Sequence, residues 1–450
     1  VPHMVLMGMG ITGRAVATAL TKRGVTVTAL DDHLSDELRE WGAANGVKVV
    51  SPADIDVPAV LADAEALLPA PGLPEHHPIF AAAAASEVPV RSEFDLAASW
   101  DDRPIVAVTG TDGKTTVVTL IERMLERSGL ATHSVGNTDT PWVEAIEDPS
   151  LDVFVVEASS FRLGHSQSFS PQVATWLNFG PDHLDNHVDL GAYEAAKAKI
   201  WAELEPGAVA IANRQDPVVA AHASSVTATV QTFGADEPPT ALDHGVVDDM
   251  LVVGGDDLMA ISDLPRSMPH DVLNALAATA SALAIGGTRS AAVDVLREFT
   301  GLEHRVELIG ELRGVRFVND SKATTPHASA AAIGGFDSII LLAGGKNKGL
   351  SFAPMLDHVS RIKHVVALGE AADDIEAVFA TTTPTSSAAS MAEAVDQAMA
   401  VATSGDVVLL SPACASYDWY KSYVHRGQDF TAIIRSLLPA TGEHPQGGNS

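Results

Sequence analysis

The sequence predicts an α/β protein of three domains, and three observations carry that expectation. Short apolar runs, the pattern of buried strands, alternate with amphipathic stretches along most of the chain. Glycine-rich or polar segments follow these runs, as loops do at the ends of parallel strands. At 450 residues the chain exceeds what one hydrophobic core organises, and length alone suggests roughly three domains.

Apolar residues make up 46% of the chain and charged residues 19%, the composition of a folded protein. Only the closing TGEHPQGGNS is polar and glycine-rich enough to predict a flexible tail, from about residue 440. Fifty-eight acidic residues against 28 basic ones leave a net charge of -30, which opposes nucleic acid and anionic membrane surfaces as partners. A polyanionic ligand must therefore meet a local basic site. Cys414, the lone cysteine, cannot form an internal disulfide, so the fold does not depend on an oxidising compartment. The opening VPHMVLMGMG has no basic segment before its apolar run and passes into a glycine loop, which reads as a strand and not as a leader. No apolar run is long enough to span a bilayer as a helix, and a cytoplasmic location is the expectation.

The first region, residues 1–97, begins HMVLMGMGITGRAVATALTKRGVTVTALDD: strand, Gly8-x-Gly10-x-x-Gly13, helix, and a second strand ending at Asp31-Asp32. This βαβ unit fits a dinucleotide or another diphosphate at the helix N-terminus, whose unpaired N–H groups favour anions; it equally fits a tight turn with close helix packing. The second region, residues 98–302, has strands in PIVAVT, LDVFVVEA, VATWLNF and AVAIAN. The runs SSVTATVQTFG and GVVDDMLVVGGDDLMAIS, with glycine and Asp-Asp turns, then predict an antiparallel insertion. The third region, residues 303–450, follows LEHRVELIG with strands VRFVND, SIILLAGG, HVVALG and DVVLLS, separated by helices such as SMAEAVDQAMAVATSG.

The chemistry concentrates where strands end. In VAVTGTDGKTTVVTL, glycines let backbone N–H groups approach phosphate oxygens, Lys114 supplies a point charge and Thr115 offers a hydroxyl to magnesium. The general P-loop would place a glycine at Val108, so this cradle is one glycine short. Glu157 ends VVEASSF, as a magnesium-binding carboxylate or as an acid capping the next helix. NFGPDHLDNH packs Asp182, His183, Asp185 and His187 together, as a second cation site or as a polar loop. Lys197 and Lys199 lie in YEAAKAKIW, where a solvated helix face is the plain reading. NDSKATTPHAS, AGGKNKGLSF and SPACASYDWYKSYVHRGQDF each follow a strand and gather Lys, Ser, Thr or Arg, which suits a small anion such as an amino acid carboxylate, or ordinary helix capping.

Taken in order, GTDGKTT, EASSF, DHLDNH, YEAAK, HDVLNALAA, EHRVE, NDSKAT, GGKNKG and SPACASYDWYKSYVHRG resemble the Mur ligases of bacterial cell-wall synthesis, and the last three point to their D-glutamate-adding branch. The resemblance implies a Rossmann-like UDP-binding domain, a central P-loop ATPase-type domain and a C-terminal Rossmann-like domain for the incoming amino acid. It implies a monomer that uses ATP and two magnesium ions to join D-glutamate to UDP-N-acetylmuramoyl-L-alanine through an acyl phosphate. The shortened cradle is the family's own.

By motif position Ile11, Thr12, Asp31, Gly72 and Asn137 would surround the UDP substrate. Gly110, Thr111, Asp112, Gly113, Lys114, Thr115, Thr116, Asn274, Arg305 and Asp320 would bind ATP. Thr115 with Glu157 would hold one magnesium and His183 with a carbamylated Lys197 the second, while Lys322 stands near the transferred phosphoryl group. Thr324, Lys348, Ser416 and Tyr423 fall where the family binds D-glutamate. The sequence departs from the family at Asp112, where Asn is common, at Asp139 in GNTDTP, at Arg162 for a usual Gln, at HDVLN for His-Asn-x-x-Asn, in PAPGLP, which lacks a serine, and at Tyr423 for a frequent Phe. Other Mur ligases and folylpolyglutamate synthases share the ATPase core; the DNPR motif of the diaminopimelate-adding relative is absent. A nucleotide-switched binding protein would have no use for Lys197 or the three C-terminal cationic loops.

Overall fold

The structure, a computed structural model, describes residues 2–138, 140–183 and 186–438. Among these residues the chain forms two compact units, divided between Phe299 and Thr300, that hold three sheets. The predicted α/β class is what the strands form, and the sheets are largely parallel.

The first sheet is parallel throughout, in the order β3-β2-β1-β4, with β1 His3–Met7, β2 Thr26–Leu30, β3 Lys48–Val50 and β4 Ala66–Pro69. Strand order reverses at β1, so the loops after β1 and β4 flank the crevice where ligands of such sheets bind. Two glycines shape the first loop. Gly8 takes φ +91° and passes so near Ala70 that a Cβ on it would lie 2.7 Å from the Ala70 Cβ. Gly13, inside helix Ile11–Lys22, packs on the Gly8 carbonyl, which a Cβ would meet at 2.1 Å. Gly10 has open space around it at the helix N-terminus.

The second sheet has nine strands among the described residues, in the order β13-β12-β11-β10-β9-β8-β5-β7-β6. Strands β5 Ile105–Thr109, β6 Thr132–Gly136, β7 Val153–Glu157, β8 Val173–Trp176, β9 Val209–Asn213 and β10 Thr229–Phe233 run parallel. Strands β11 His244–Val247, β12 Met250–Val253 and β13 Asp256–Ala260 form an antiparallel meander on the same sheet. The expected antiparallel insertion is thus shorter than the sequence suggested. Helix Pro217–Ala223 intervenes between β9 and β10 and gives the crossover that returns β10 parallel. One apolar cluster runs from the first sheet, through Leu6, Val16 and Phe94, to Phe154 and Trp176 of the second. Among the described residues no helix is long and apolar enough to cross a membrane.

The second unit holds six strands among the described residues, β14 Glu307–Leu312, β15 Val315–Asn319, β16 Ile339–Gly344, β17 Ile362–Leu368, β18 Thr385–Ala388 and β19 Val407–Leu410, in the order β14-β15-β19-β16-β17-β18. All pair in parallel except β14 with β15. The loops after β15, β19 and β16 therefore leave one edge of the sheet side by side.

Gly13→Ala tests the close approach in the first loop. The added methyl meets backbone that cannot rotate away, so the first unit should lose about 2 kcal/mol, although alanine favours a helix by about 1 kcal/mol over glycine. Denaturant unfolding of the parent and variant measures the difference, and an unchanged or raised midpoint contradicts the packing argument.

Candidate active site

Strand β5 is buried along its length and delivers the chain into Gly110–Gly113, after which helix Lys114–Arg127 begins. Gly113 adopts φ +83° at the helix N-cap, and a Cβ there would stand 2.8 Å from Asn274 Oδ1 in helix Pro269–Ala284. Gly113, at the N-cap, carries no side chain to cap the helix, and a helix N-terminus that opens on glycine suits an anion.

The loop is held from behind by a residue that the sequence reading passed over. Asn178, just beyond β8, accepts hydrogen bonds from the Thr111 and Asp112 N–H groups on its Oδ1, each 2.9 Å, and donates to the Asp112 carbonyl at 3.2 Å. The Thr111 hydroxyl pairs with the Tyr193 hydroxyl at 3.2 Å and accepts from the Gly180 N–H at 2.9 Å. Nothing in the spacing of NFG announces this clamp, because it is a side chain closing on backbone far away in sequence.

Two lysines converge on one oxygen of the loop. Lys114 Nζ donates to the carbonyls of Gly110 and Thr111, at 2.7 and 2.8 Å, and Lys197 Nζ donates to the same Gly110 carbonyl at 2.7 Å. Lys197 is not on a solvated face: it is 1% exposed, on helix Leu190–Ala198, with its amine 4.6 Å from the centre of the Tyr193 ring. Burial first, and then the charge of Lys114, push its pKa well below that of an ordinary lysine, against the opposing pull of Asp182, Asp112 and Glu157. The neutral amine is the reactive form of a lysine, so this environment favours chemistry at Nζ.

Glu157 closes β7 beside β5 and β6, opposite Val108 and Gly136. Its Oε1 accepts from Asn137 Nδ2 at 3.1 Å, whereas Oε2 and the Ser159 hydroxyl are buried with no hydrogen-bond partner among the described residues. A buried carboxylate oxygen left so is costly unless a cation or donor completes it, which fits magnesium. Among the described residues no three His, Cys, Asp or Glu side chains could hold a metal by themselves. A cation here would need other oxygens, such as the Thr115 hydroxyl, a modified Lys197 or phosphate.

The histidine-rich loop divides. His183, at φ +54°, has its ring 3.2 Å from Asp182 Oδ2 and edge-on to Phe161 at 4.7 Å. His187 turns away, its Nδ1 2.7 Å from Glu75 Oε1 and its Nε2 2.9 Å from the Ser160 hydroxyl. Asp185, like Asp139, lies outside the described residues.

At the first sheet, Ile11 is 72% exposed at the start of its helix, and Gly72, at φ +83°, follows β4 across the crevice. Asp31 binds its own surroundings, accepting from the Met9 and His33 N–H groups at 2.7 and 2.8 Å, and so fixes the glycine loop. Thr12 accepts from Arg162 Nη2 at 3.0 Å.

In the second unit the loop after β15 carries Asp320, Lys322 and Thr324. Asp320 accepts from the Val306 N–H, next to Arg305, at 3.2 Å and from the Ser411 hydroxyl at 2.8 Å. The Lys322 amine lies 4.1 Å from the centre of the Tyr423 ring. The loop with Lys348 bridges to the loop with Ser416 through paired backbone bonds between Lys346 and Ala415, 2.9 and 3.0 Å. Arg426, also unassigned from sequence, ties these loops together by donating to the carbonyls of Ser321 and Cys414 at 2.9 and 3.1 Å. Burial lowers its pKa to about 10.

Asn178→Ala removes the loop clamp while leaving Lys114 and Thr115 in place. Nucleotide affinity should fall by about tenfold, since two loop N–H groups lose their acceptor. Calorimetric titration reads the effect, and affinity within twofold of the parent would remove Asn178 from the site.

A model of the Mur ligase middle domain matches residues 108–282, and one of the Mur ligase glutamate ligase domain matches residues 304–414. The UDP-N-acetylmuramoylalanine–D-glutamate ligase of Frankia casuarinae is 38% identical over 448 residues, covering 96% of this chain and 94% of that protein. Its counterpart in Nitrosococcus oceani is 37% identical over 443 residues and covers 96% of each. A pseudomurein peptide ligase type C from Methanothermus fervidus superposes with a TM-score of 0.60 at 16% identity, over 97% of this chain and 100% of that one. UDP-N-acetylmuramate–alanine ligase MurC from Thermotoga maritima gives 0.57 at 17% identity, over 97% and 100%. These two structures speak for the fold alone; the sequence relatives speak for the family. Similar to D-glutamate-adding enzymes along nearly its whole length, the chain belongs to the Mur ligase family, whose members are ATP-dependent, amide-forming ligases.

Proposed function

We propose that the protein joins D-glutamate to UDP-N-acetylmuramoyl-L-alanine, with ATP as phosphoryl donor, as a monomer in cytoplasmic peptidoglycan precursor synthesis. The observation that supports this most is the buried Lys197 amine, which shares the Gly110 carbonyl with the phosphate-loop lysine. A nucleotide switch has no need of it. A ligase that must activate a carboxylate does.

The γ-phosphoryl group passes to the alanine carboxylate, giving ADP and an acyl phosphate. The amine of D-glutamate attacks the acyl carbon, and the tetrahedral adduct collapses to amide and inorganic phosphate. Positioning and charge neutralisation supply most of such catalysis. In this reading the N–H groups of Gly113, Lys114, Thr115 and Thr116, with the Lys114 amine, receive the β and γ phosphates. Thr111 and Asp112 keep the loop in shape through Asn178, and Asn274 faces the nucleotide. Ile11, Thr12, Asp31, Gly72 and Asn137 serve the UDP substrate. In the second unit, Arg305 and Asp320 serve the nucleotide, Lys322 the transferred phosphoryl group, and Thr324, Lys348, Ser416 and Tyr423 D-glutamate.

Magnesium, when bound, offsets phosphate charge in an acidic protein. Thr115 and Glu157 would hold one ion. His183 and Lys197 would hold a second, provided Lys197 is carbamylated, because an ammonium cannot ligate a cation. The neutral amine would add to carbon dioxide with release of a proton, giving a carbamate whose oxygens could serve as magnesium ligands.

The ligation itself is tested with ATP, magnesium and UDP-N-acetylmuramoyl-L-alanine, offering D-glutamate, L-glutamate, L-alanine or diaminopimelate in turn. Phosphate release and a new amide by mass are expected with D-glutamate alone, and release independent of any acceptor sinks the reading. For Lys197→Ala, activity should fall at least a hundredfold and recover in part with short carboxylic acids, which replace the carbamate. Full activity without them rules out the carbamate.

A further inference from the structure

Three residues beyond Glu157 the chain enters the short helix Ser160–His165, and from this segment two ties cross to the first sheet. Arg162 makes one. Its side chain is 5% exposed, forms an ion pair with the equally buried Glu93, and donates through Nη2 to the Thr12 hydroxyl at 3.0 Å. Thr12 stands in the first turn of helix Ile11–Lys22, directly after the glycine loop. Ser160 makes the other through His187, which bridges the Ser160 hydroxyl at 2.9 Å and Glu75 Oε1 at 2.7 Å. Glu75 lies three residues past Gly72, and the strap is doubled by backbone: Val188 N–H donates to Glu75 Oε2 at 2.9 Å and Glu75 N–H to the Asn186 carbonyl at 2.8 Å. The His187 ring stacks on Phe161 at 5.5 Å with an interplanar angle of 9°.

The two loops that flank the crevice of the first sheet are thus each fastened to the segment that leaves the Glu157 strand. Arg162 acts here by geometry and not by net charge, because Glu93 neutralises it. The guanidinium spans both partners from one buried position, with Nη2 on Thr12 and Nη1 against Glu93, a reach that the single nitrogen of a lysine does not reproduce. His187 likewise needs both ring nitrogens, one for each partner.

We infer that Arg162 and His187 are positioning residues for the UDP-bearing substrate: they set the Gly8–Thr12 and Gly72–Glu75 loops against the Glu157 strand, so that a diphosphate held in the crevice presents its distant carboxylate at a fixed place. This rests on the function proposed above. It makes the UDP site sensitive to residues of the second sheet that need not touch the ligand.

Arg162→Lys keeps the charge and loses the fork; His187→Phe keeps the stacked ring and loses both hydrogen bonds. In the full-length enzyme each should raise the dissociation constant for UDP and the KM for UDP-N-acetylmuramoyl-L-alanine about tenfold, with KM for ATP and D-glutamate within twofold. A merely structural role would move all three KM values or the thermal midpoint alone. Should Arg162→Lys fail to fold, the paired change Glu93→Gln with Arg162→Gln removes both charges together and is read in its place. UDP affinity and substrate KM within twofold of the parent in these variants overturn the inference. A parent enzyme that does not bind UDP at all overturns the assigned function, and the inference with it.

Discussion

A single backbone carbonyl, that of Gly110, accepts hydrogen bonds from two lysines, and much of the first unit is arranged around that crowding. One of the two amines is wholly buried, where burial and the charge of Lys114 disfavour its protonated form and the charges of Asp182, Asp112 and Glu157 only partly oppose them. Those acids end or follow three different strands, β5, β8 and β7, which lie side by side in the sheet. Asn178 and Tyr193 then hold the loop so that the carbonyl points where both amines can reach it. The acidic residue at position 112 also finds a reason: it lies among charges that offset a second lysine as well as the first.

A chain with a net charge of -30 repels polyanions at a distance. The structure answers locally, with a helix N-terminus that opens on glycine, Lys114 and Lys197 brought to one point at the end of a buried strand. The arrangement trades long-range steering for short-range fit. Parallel sheets make this economical, because successive strands deliver their loops to one edge without further support.

The sequence made the buried strands legible because continuous apolar runs bounded by glycine leave few alternatives, and it made the phosphate loop legible because its spacing is chemistry as well as fold. Strands β6 and β18 escaped notice: THSVG and TSSA carry too few apolar side chains to show a period. Asn178, Tyr193 and Arg426 escaped for another reason. Each acts on backbone distant in the chain, and a side chain that closes on a carbonyl or N–H leaves no pattern at either place. Lys197, a metal ligand by family resemblance, reads as surface from its own helix; only the packing of Tyr193 and the phosphate loop over it shows a buried amine. The same blindness applied to His187, whose partners Glu75 and Ser160 lie 112 and 27 residues away.

The polar edge strands have a consequence of their own. The second sheet ends on β6 at one side and on β13 at the other, where Asp256 and Asp257 are exposed, and the third ends on β14, with Glu307 and Glu311, and on the serine-rich β18. An edge strand offers unpaired N–H and C=O groups to any other strand that approaches. At β6, β13 and β18 an approaching strand would have to bury hydroxyls or align like charges, whereas β14 also presents the exposed Leu308 beside its two acids. At β6 and β18 the polar composition that leaves no apolar period in the sequence also makes the edge a poor template for another strand.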